Sequence, residues 1–442
     1  MPETAPCGDA VQAAGEDRAP RIRALVFPCG SENGGEIHDA LRHSLHVEVM
    51  GASSAEDHGR FRFARYFGGL PRVGEEGFDG AFSALLRGEG VAMVFATHDT
   101  VAEYLAPRMR AMGAHLVNGD PETAAVARRK SLTYRLFADQ GWAPRVFCGP
   151  EAVPEWPAVV KPDRGQGGRG VAVVRDSWEA RLATAALEEP VLMEHLPGDE
   201  VTVDCFTDRH RRLAWVGPRT RERVRAGIAM RSEVVEADAE ILGIAEAINA
   251  RLLMRGPWFF QLRQDREGRW KLLEVACRVA GSMVAQRARG VNLPLMAVHD
   301  FLGRDVVPLP DPRVRLVDRR IATRARLDWE FDEVFVDLDD TLVLDGRAVP
   351  GVVAFLYQCA GEGKRLHLVT RHAGEPEEAL RRARIAPGLF DRIHHLRAGE
   401  PKAGVIGGRA IFVDNHFPER AAVAAARGIP VLDVDAVEFL LG

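Results

Sequence analysis

The stretch 159-VVKPDRGQGGRGVAVV-174 places Gly165, Gly167 and Gly170 in a G-x-G-x-x-G array. That spelling marks a dinucleotide site only when a strand precedes it and a helix opens directly after it, because the pyrophosphate rests on the helix N-terminus. With 43 glycines in 442 residues, about 0.4 such arrays arise by chance, so context decides. The residues that follow Gly170 are "VAVV", β-branched and strand-like. The spacing therefore predicts a glycine hairpin between two antiparallel strands and excludes a nicotinamide or flavin site. Such a tip can be a plain surface turn. It can also fold over phosphates and present backbone N–H groups to them, with Arg164 and Arg169 alongside.

Working outward, Lys161 sits on the strand entering the hairpin, within reach of the same phosphates. Downstream, "VLMEHLPGDEVTVD" carries Glu194, Leu196 and Glu200. This segment suits an apolar contact and backbone groups for adenine, with a carboxylate for ribose hydroxyls; exposed ion pairs are the plainer reading of both glutamates. Gln261 and Glu274 fall at the centres of "WFFQLRQD" and "WKLLEVAC", two apolar strands joined by "REG". Side chains meeting from neighbouring strands can hold Mg²⁺, which takes oxygen ligands together with phosphate oxygens.

In this order the residues resemble the ATP-grasp superfamily, in the branch similar to the carbamoyl-phosphate synthetase large subunit, over residues 21 to 305. The resemblance implies that Lys130 and Lys161 bind ATP phosphates and that the 165–170 loop, with Gly167 and Gly168, is a phosphate lid. It further implies an adenine hinge at Glu194 and Leu196, a ribose carboxylate at Glu200, and metal ligands at Gln261 and Glu274. Arg278 would hold the transferring phosphoryl group or a substrate carboxylate. The implied reaction is ATP-dependent carboxylate–amine ligation through an acyl phosphate, with ATP and Mg²⁺ as cofactors. One departure stands out. The family often ends this segment E-x-N-P-R, whereas this chain reads "EVACR". Ala276 thus replaces an asparagine ligand, so a second Mg²⁺ is held through water or Glu274 bridges both ions.

A second signal lies near the C-terminus. "FVDLDDTL", residues 335–342, runs an apolar strand into Asp337, Asp339 and Thr341. About 0.05 chance matches are expected for that D-x-D-x-T pattern, so it is sharper than the glycine array. Thr370, Lys402 and Asp414 follow at the ends of later strands or in "EPKAG". The set resembles the haloacid dehalogenase (HAD) phosphatases over residues 331 to 442. By that resemblance Asp337 is the nucleophile, Asp339 the general acid/base, and Thr370 and Lys402 the phosphate grip. Asp337, Asp339 and Asp414 would serve a Mg²⁺ ion. Asn415 stands where a second acid is frequent, and a noncatalytic binding or dimerisation module is the alternative for this domain. Only 28 residues separate Thr341 from Thr370, which leaves no room for a large cap.

The domain order expected is a disordered tail at 1–20, an N-terminal α/β (pre-ATP-grasp) domain at 21–125, an ATP-grasp domain at 126–310, a linker holding one strand at 311–330, and a HAD-like three-layer α/β sandwich at 331–442. The class is α/β and α+β, multidomain. One helix is expected over "AAVARRKSLTYRLFADQG", 124–141, ending at Gly141 and Pro144. Strand-end loops nominate Cys29, Ser31, Glu32, His98 and Asp99 as substrate-pocket residues by position alone, with turn and cap roles open for Ser31 and Asp99.

Composition bounds the rest. The chain is 46% hydrophobic and 27% charged with a net charge of −5, which offers no general attraction to nucleic acid or anionic membrane. No apolar run approaches the roughly 20 residues of a membrane span. The first 20 residues carry four acidic groups and no apolar core, unlike a signal peptide. Six scattered cysteines without C-x-x-C spacing argue against zinc and disulfides and for a reducing cytoplasm. The expected partners are a small carboxylate, an amine and a phosphorylated substrate or intermediate. A homodimer is left open.

Overall fold

A computed structural model describes residues 21–165, 167–225 and 227–442; the expected tail at 1–20 and Gln166 of the glycine loop lie outside the described residues. The chain divides into two compact units at Arg320/Ile321.

The first unit begins with a parallel sheet built from β1 (Ile22–Phe27), β2 (Val47–Ala52), β3 (Tyr66–Phe67), β4 (Met93–Ala96) and β5 (His115–Leu116), in the order β3-β2-β1-β4-β5. Order reverses beside β1, so the ends of β1 and β4 open onto a crevice between their following loops. Ser31 begins the helix Glu32–Leu41 by accepting from the Gly34 amide at 3.0 Å. His98 accepts from the Thr100 amide and begins the helix Asp99–Leu105.

A second sheet holds β6 (Val146–Phe147), β7 (Ala158–Pro162), β8 (Ala172–Val174) and β9 (Pro190–Glu194), in the order β6-β9-β7-β8. β7 and β8 pair antiparallel, Val159 opposite Val173. The glycine stretch is therefore a hairpin connection, as the β-branched residues after Gly170 predict. Gly167, Gly168 and Gly170 all have positive φ, a conformation that strains residues with a Cβ.

The third sheet contains β10 (Glu200–Thr207), β11 (Leu213–Thr220), β14 (Gly256–Gln264) and β15 (Trp270–Ala276) in the order β11-β10-β14-β15. Between them in sequence, β12 (Arg223–Arg225) and β13 (Ile228–Glu233) form a small sheet completed by β16 (Leu316–Asp318). The segment expected as a linker thus supplies an edge strand to this first unit. One hydrophobic core joins Leu25, Phe82 and Val94 around the first sheet to Val203, Trp258 and Phe260 of the third. Trp258 is fully buried, and its indole N–H finds the Thr207 hydroxyl at 2.9 Å.

The helix expected over 124–141 is broken. Pro121–Arg128 and Lys130–Leu136 are separate helices, with Arg129 extended between them. The reason is tertiary. Asp163, buried just past β7, accepts from the Ser131 amide at 2.6 Å and its hydroxyl at 2.9 Å. It caps a new helix start, compensating for the broken hydrogen-bond ladder.

The second unit is a parallel sheet of β17 (Glu333–Val336), β20 (Arg365–Thr370), β21 (Arg392–His395), β22 (Ala410–Val413) and β23 (Val431–Leu432) in the order β21-β20-β17-β22-β23. A two-stranded ribbon, β18 (Val343–Leu344) with β19 (Arg347–Ala348), follows β17. Two hydrophobic clusters pack against this sheet, one centred on Val334, Val336, Phe355 and Leu368, the other on Phe335, Phe412 and Val423.

Candidate active site

The residues nominated around the glycine hairpin meet in one cavity of about 510 Å³ in the first unit. Lys130, Lys161, Gly167 and Gly168 line one part of it, and Glu194, Leu196 and Glu200 another. Gln261 and Glu274 complete the wall and sit opposite one another across β14 and β15. The register shifts between Gln261 and Leu262, leaving Leu273 as an extra residue on β15. A bulge of this kind re-aims side chains beside functional sites.

The two lysines are held in different ways. Lys130 opens its helix and points Nζ towards the carbonyls of Asp163, at 3.4 Å, and Gly165, at 3.3 Å. Burial pulls its pKa down from the usual lysine range. Lys161 is 6% exposed and donates to the Tyr134 hydroxyl at 2.6 Å. Burial, then the neighbouring Lys130 charge, lowers it to about 7. Two cations kept together out of water are favoured by an anionic ligand that neutralises them both.

Glu194 is buried and turned towards Arg145, accepting from its backbone N–H at 2.7 Å and its Nε at 3.0 Å. The carboxylate pins the strand end that leads into Leu196, which is itself buried. Glu200 forms an ion pair with Arg221 at 2.6 Å.

Next to this cavity lies a second, of about 420 Å³, which shares Gln261 and Glu274 with the first. Arg278 lines it and is clasped by Asp99 through Nε at 2.7 Å and Nη2 at 2.9 Å. Burial opposes the charge of Arg278, but Asp99 reverses that effect and its pKa rises. Of the positional candidates, His98 and Asp99 line this cavity. Ser31 is a helix cap, Glu32 pairs with Arg319 at 2.6 Å, and Cys29 is buried with its thiol pushed up to about 12 by desolvation. Asn33, Thr97, Arg219 and Arg221 also line the cavity. Asn33 and Thr97 adjoin the nominated Glu32 and His98, whereas Arg219 and Arg221 escaped sequence reasoning because the strands beside them are distant in the chain. The spacing R-x-R in "GPRTRER" was the available signal for the two arginines.

Gln261 and Glu274 offer one amide and one carboxylate oxygen set beside two lysines, a donor set that fits Mg²⁺ when phosphate oxygens complete its shell. Ala276 adds no donor. Among the described residues, no three His, Cys, Asp or Glu side chains converge to hold a metal by themselves.

In the second unit, Asp337 follows β17 and Asp414 follows β22, both buried. Lys402 bridges them, 2.7 Å from Asp337 and 2.6 Å from Asp414. Burial raises Asp337 to about 6, with Lys402 working in the opposite direction. Two carboxylates around one ammonium leave a net negative pocket, which suits an added cation. Asp339 is more exposed and meets His372 Nδ1 at 2.9 Å. Thr370 is fully buried and accepts from the His372 amide at 3.0 Å. Asn415 is tied to Thr341, whose hydroxyl donates to its Oδ1 at 3.2 Å and accepts from its N–H at 2.9 Å.

Comparisons with known proteins address the first unit. A family described as "ATP-grasp in the biosynthetic pathway with Ter operon" matches residues 186–322. The first unit has an ATP-grasp fold. The Bacillus licheniformis L-amino acid ligase structure is 18% identical with a TM-score of 0.52, the match covering 66% of this chain and 75% of that one. An N5-carboxyaminoimidazole ribonucleotide synthetase from Thermus thermophilus is 20% identical at a TM-score of 0.52, covering 66% and 81%. The biotin carboxylase domain of Hydrogenobacter thermophilus 2-oxoglutarate carboxylase, solved with magnesium ADP, ADP and bicarbonate, is 13% identical at 0.54, covering 64% and 70%. No curated protein sequence matches the chain. Among the described residues no helix is long and apolar enough to cross a membrane.

Proposed function

We propose that the ATP-grasp unit is an ADP-forming carboxylate–amine ligase and that the second unit is a HAD-type phosphatase serving the same pathway. The observation that carries the ligase reading is the cross-strand pair Gln261–Glu274 facing Lys130 and Lys161 in one cavity. Support also comes from the ligases among the structural neighbours, one of them an L-amino acid ligase.

In this reading the lysines take the ATP phosphates, and the γ-phosphate falls at the border of the two cavities. Mg²⁺, held by Gln261 and Glu274 with phosphate oxygens, would neutralise charge on the transferring group. A substrate carboxylate oxygen attacks the γ-phosphorus, and the bond from γ-phosphorus to the bridging oxygen breaks to release ADP. An amine nitrogen then attacks the acyl carbon, loses a proton to solvent, and expels phosphate. Arg278, fixed by Asp99, orients the reacting acid. Positioning and charge neutralisation supply most of such a rate enhancement.

For the second unit, Asp337 would attack a phosphomonoester while Lys402 offsets the repulsion between anions, and Asp339 would protonate the leaving oxygen and later activate water. The pairing of Asp339 with His372 and the Lys402 bridge support this reading. The engagement of Asn415 by Thr341 favours the second reading, a noncatalytic binding or dimerisation module. The cysteines described are all free thiols, in keeping with a cytoplasmic setting. ADP and phosphate release, measured over a panel of carboxylates, amines and phosphomonoesters, separates these readings. Loss of ADP formation in Lys161→Ala and of ester hydrolysis in Asp337→Asn is expected. ADP formation without any amide product would replace the ligase by a kinase.

A further inference from the structure

The floor of the second cavity is a single transverse row of side chains. Arg219 on β11 lies opposite Thr202 on β10, Thr202 opposite Gln261 on β14, and Gln261 opposite Glu274 on β15. All four line the cavity. The metal and phosphoryl end of this row is at Glu274 and Gln261, which leaves the purpose of the arginine at its other end to be explained.

Arg219 is 0% exposed. It commits Nε and Nη2 to Asp204, at 2.7 and 3.2 Å, and Asp204 also accepts from Gln286 at 3.2 Å. The remaining guanidinium nitrogen, Nη1, is buried with no hydrogen-bond partner. Arg278 is arranged alike on the same cavity, with Nε and Nη2 on Asp99. Each arginine is thus locked on one edge by a carboxylate. A buried charged donor left unpaired is costly, and the planar guanidinium fork matches the geometry of acidic groups such as carboxylates.

We infer that the cavity binds a small organic acid carrying two acidic groups, the reacting one beside Arg278 and Glu274 and the second held by Arg219 Nη1 with the Thr202 hydroxyl. This rests on the ligase reading and narrows its substrate to a dicarboxylate. The geometry also limits its size. Neighbouring strands lie roughly 4.8 Å apart, so Arg219 on β11 and Glu274 on β15, three intervals apart, stand roughly 14 Å from each other at the backbone, and the long arginine side chain spans much of that distance. The two acids are therefore close together in a compact molecule.

Calorimetric titration of the full chain in the presence of MgADP tests this directly. The probes are linear dicarboxylates from malonate to adipate, each paired with the monocarboxylate of equal length. At least one dicarboxylate should bind roughly 10-fold or more tightly than its partner, the advantage of one charge-assisted contact. Arg219→Lys, which keeps a charge against Asp204 but removes the second edge, should bring the pair to parity with MgADP affinity unchanged. The double variant Arg219→Gln with Asp204→Asn, which leaves no buried charge, should do the same. Equal binding of the paired acids by the wild-type protein, no binding by any of them, or preference surviving in both variants overturns the inference. ADP formation is followed in parallel. Arg219-dependent dicarboxylate binding without ADP would sink the ligase and leave the binding site standing, whereas equal turnover of monocarboxylates would do the reverse.

Discussion

The Lys161 ammonium donates to the Tyr134 hydroxyl at 2.6 Å, and that hydroxyl donates onward to the Leu273 carbonyl, also at 2.6 Å. Tyr134 comes from the helix that starts at Lys130, so one short helix supplies one of the two lysines proposed to bind phosphate and steadies the other. Tyr134→Phe keeps the ring beneath the ammonium, 5.1 Å from Nζ, and removes the acceptor. MgADP affinity should fall roughly 5- to 10-fold, the worth of about 1–1.5 kcal/mol, with a modest drop in melting temperature from the buried groups left unpaired. Unchanged affinity would show that Lys161 is positioned by other means.

Lys161 should also make nucleotide binding depend on pH. Its folded pKa, near 7, lies below the ordinary lysine value. The unfolded chain therefore holds more protons from about pH 7 up to that value, and this residue's contribution to stability rises with pH across the window. Phosphates favour the ammonium form, so binding above about pH 7 takes up a proton and weakens as pH climbs. Titrations of MgADP in buffers of different ionisation enthalpy should show the uptake. Lys161→Ala should abolish it.

Glu274 is the only carboxylate of the cross-strand pair. Glu274→Gln should reduce ADP formation by on the order of 10²–10³-fold and raise the Mg²⁺ needed for half-maximal rate. Ala276→Asn would place an oxygen beside the proposed ion and should lower that Mg²⁺ requirement. A magnesium titration of initial rates reads both, and an unaltered requirement in both variants would remove Glu274 from the metal.

Lys402 holds two buried carboxylates apart in the second unit. Lys402→Met leaves them facing each other without a cation and should destabilise that unit by about 3–5 kcal/mol. Asp337→Asn removes one of the two charges and should cost far less stability while abolishing ester hydrolysis. Thermal unfolding of the two variants, with a phosphomonoesterase assay, distinguishes the roles. Equal melting temperatures would contradict the bridge.

Much of the candidate site in the ATP-grasp unit was legible because its signals are local. Lys161 and the glycines sit a few residues apart on one hairpin, and the β-branched run after Gly170 settles that it is a hairpin. Gln261 and Glu274 are joined by a short turn, so their meeting follows from strand centres alone. Tyr134 carried no such signal. Its position reads as an ordinary apolar helix site, and only the docking of that helix under β7 makes it a partner of Lys161. The helix break at Arg129 escaped for the same reason, since Asp163, which caps the new start, is far along the chain.

The spacing of side chains along single strands and turns was enough to specify the hairpin, the order of the residues that line the first cavity and the Asp337–Asp339 pair, because those relations involve neighbours in the chain. The row Arg219–Thr202–Gln261–Glu274 was decided by the packing of four strands whose register no local pattern records. Register between distant strands is set by the shared core that Val203, Phe260 and Leu272 help to fill, since a slip of one residue would turn that apolar face outward. That core, and no motif, brings a buried arginine into line with the Gln261–Glu274 pair.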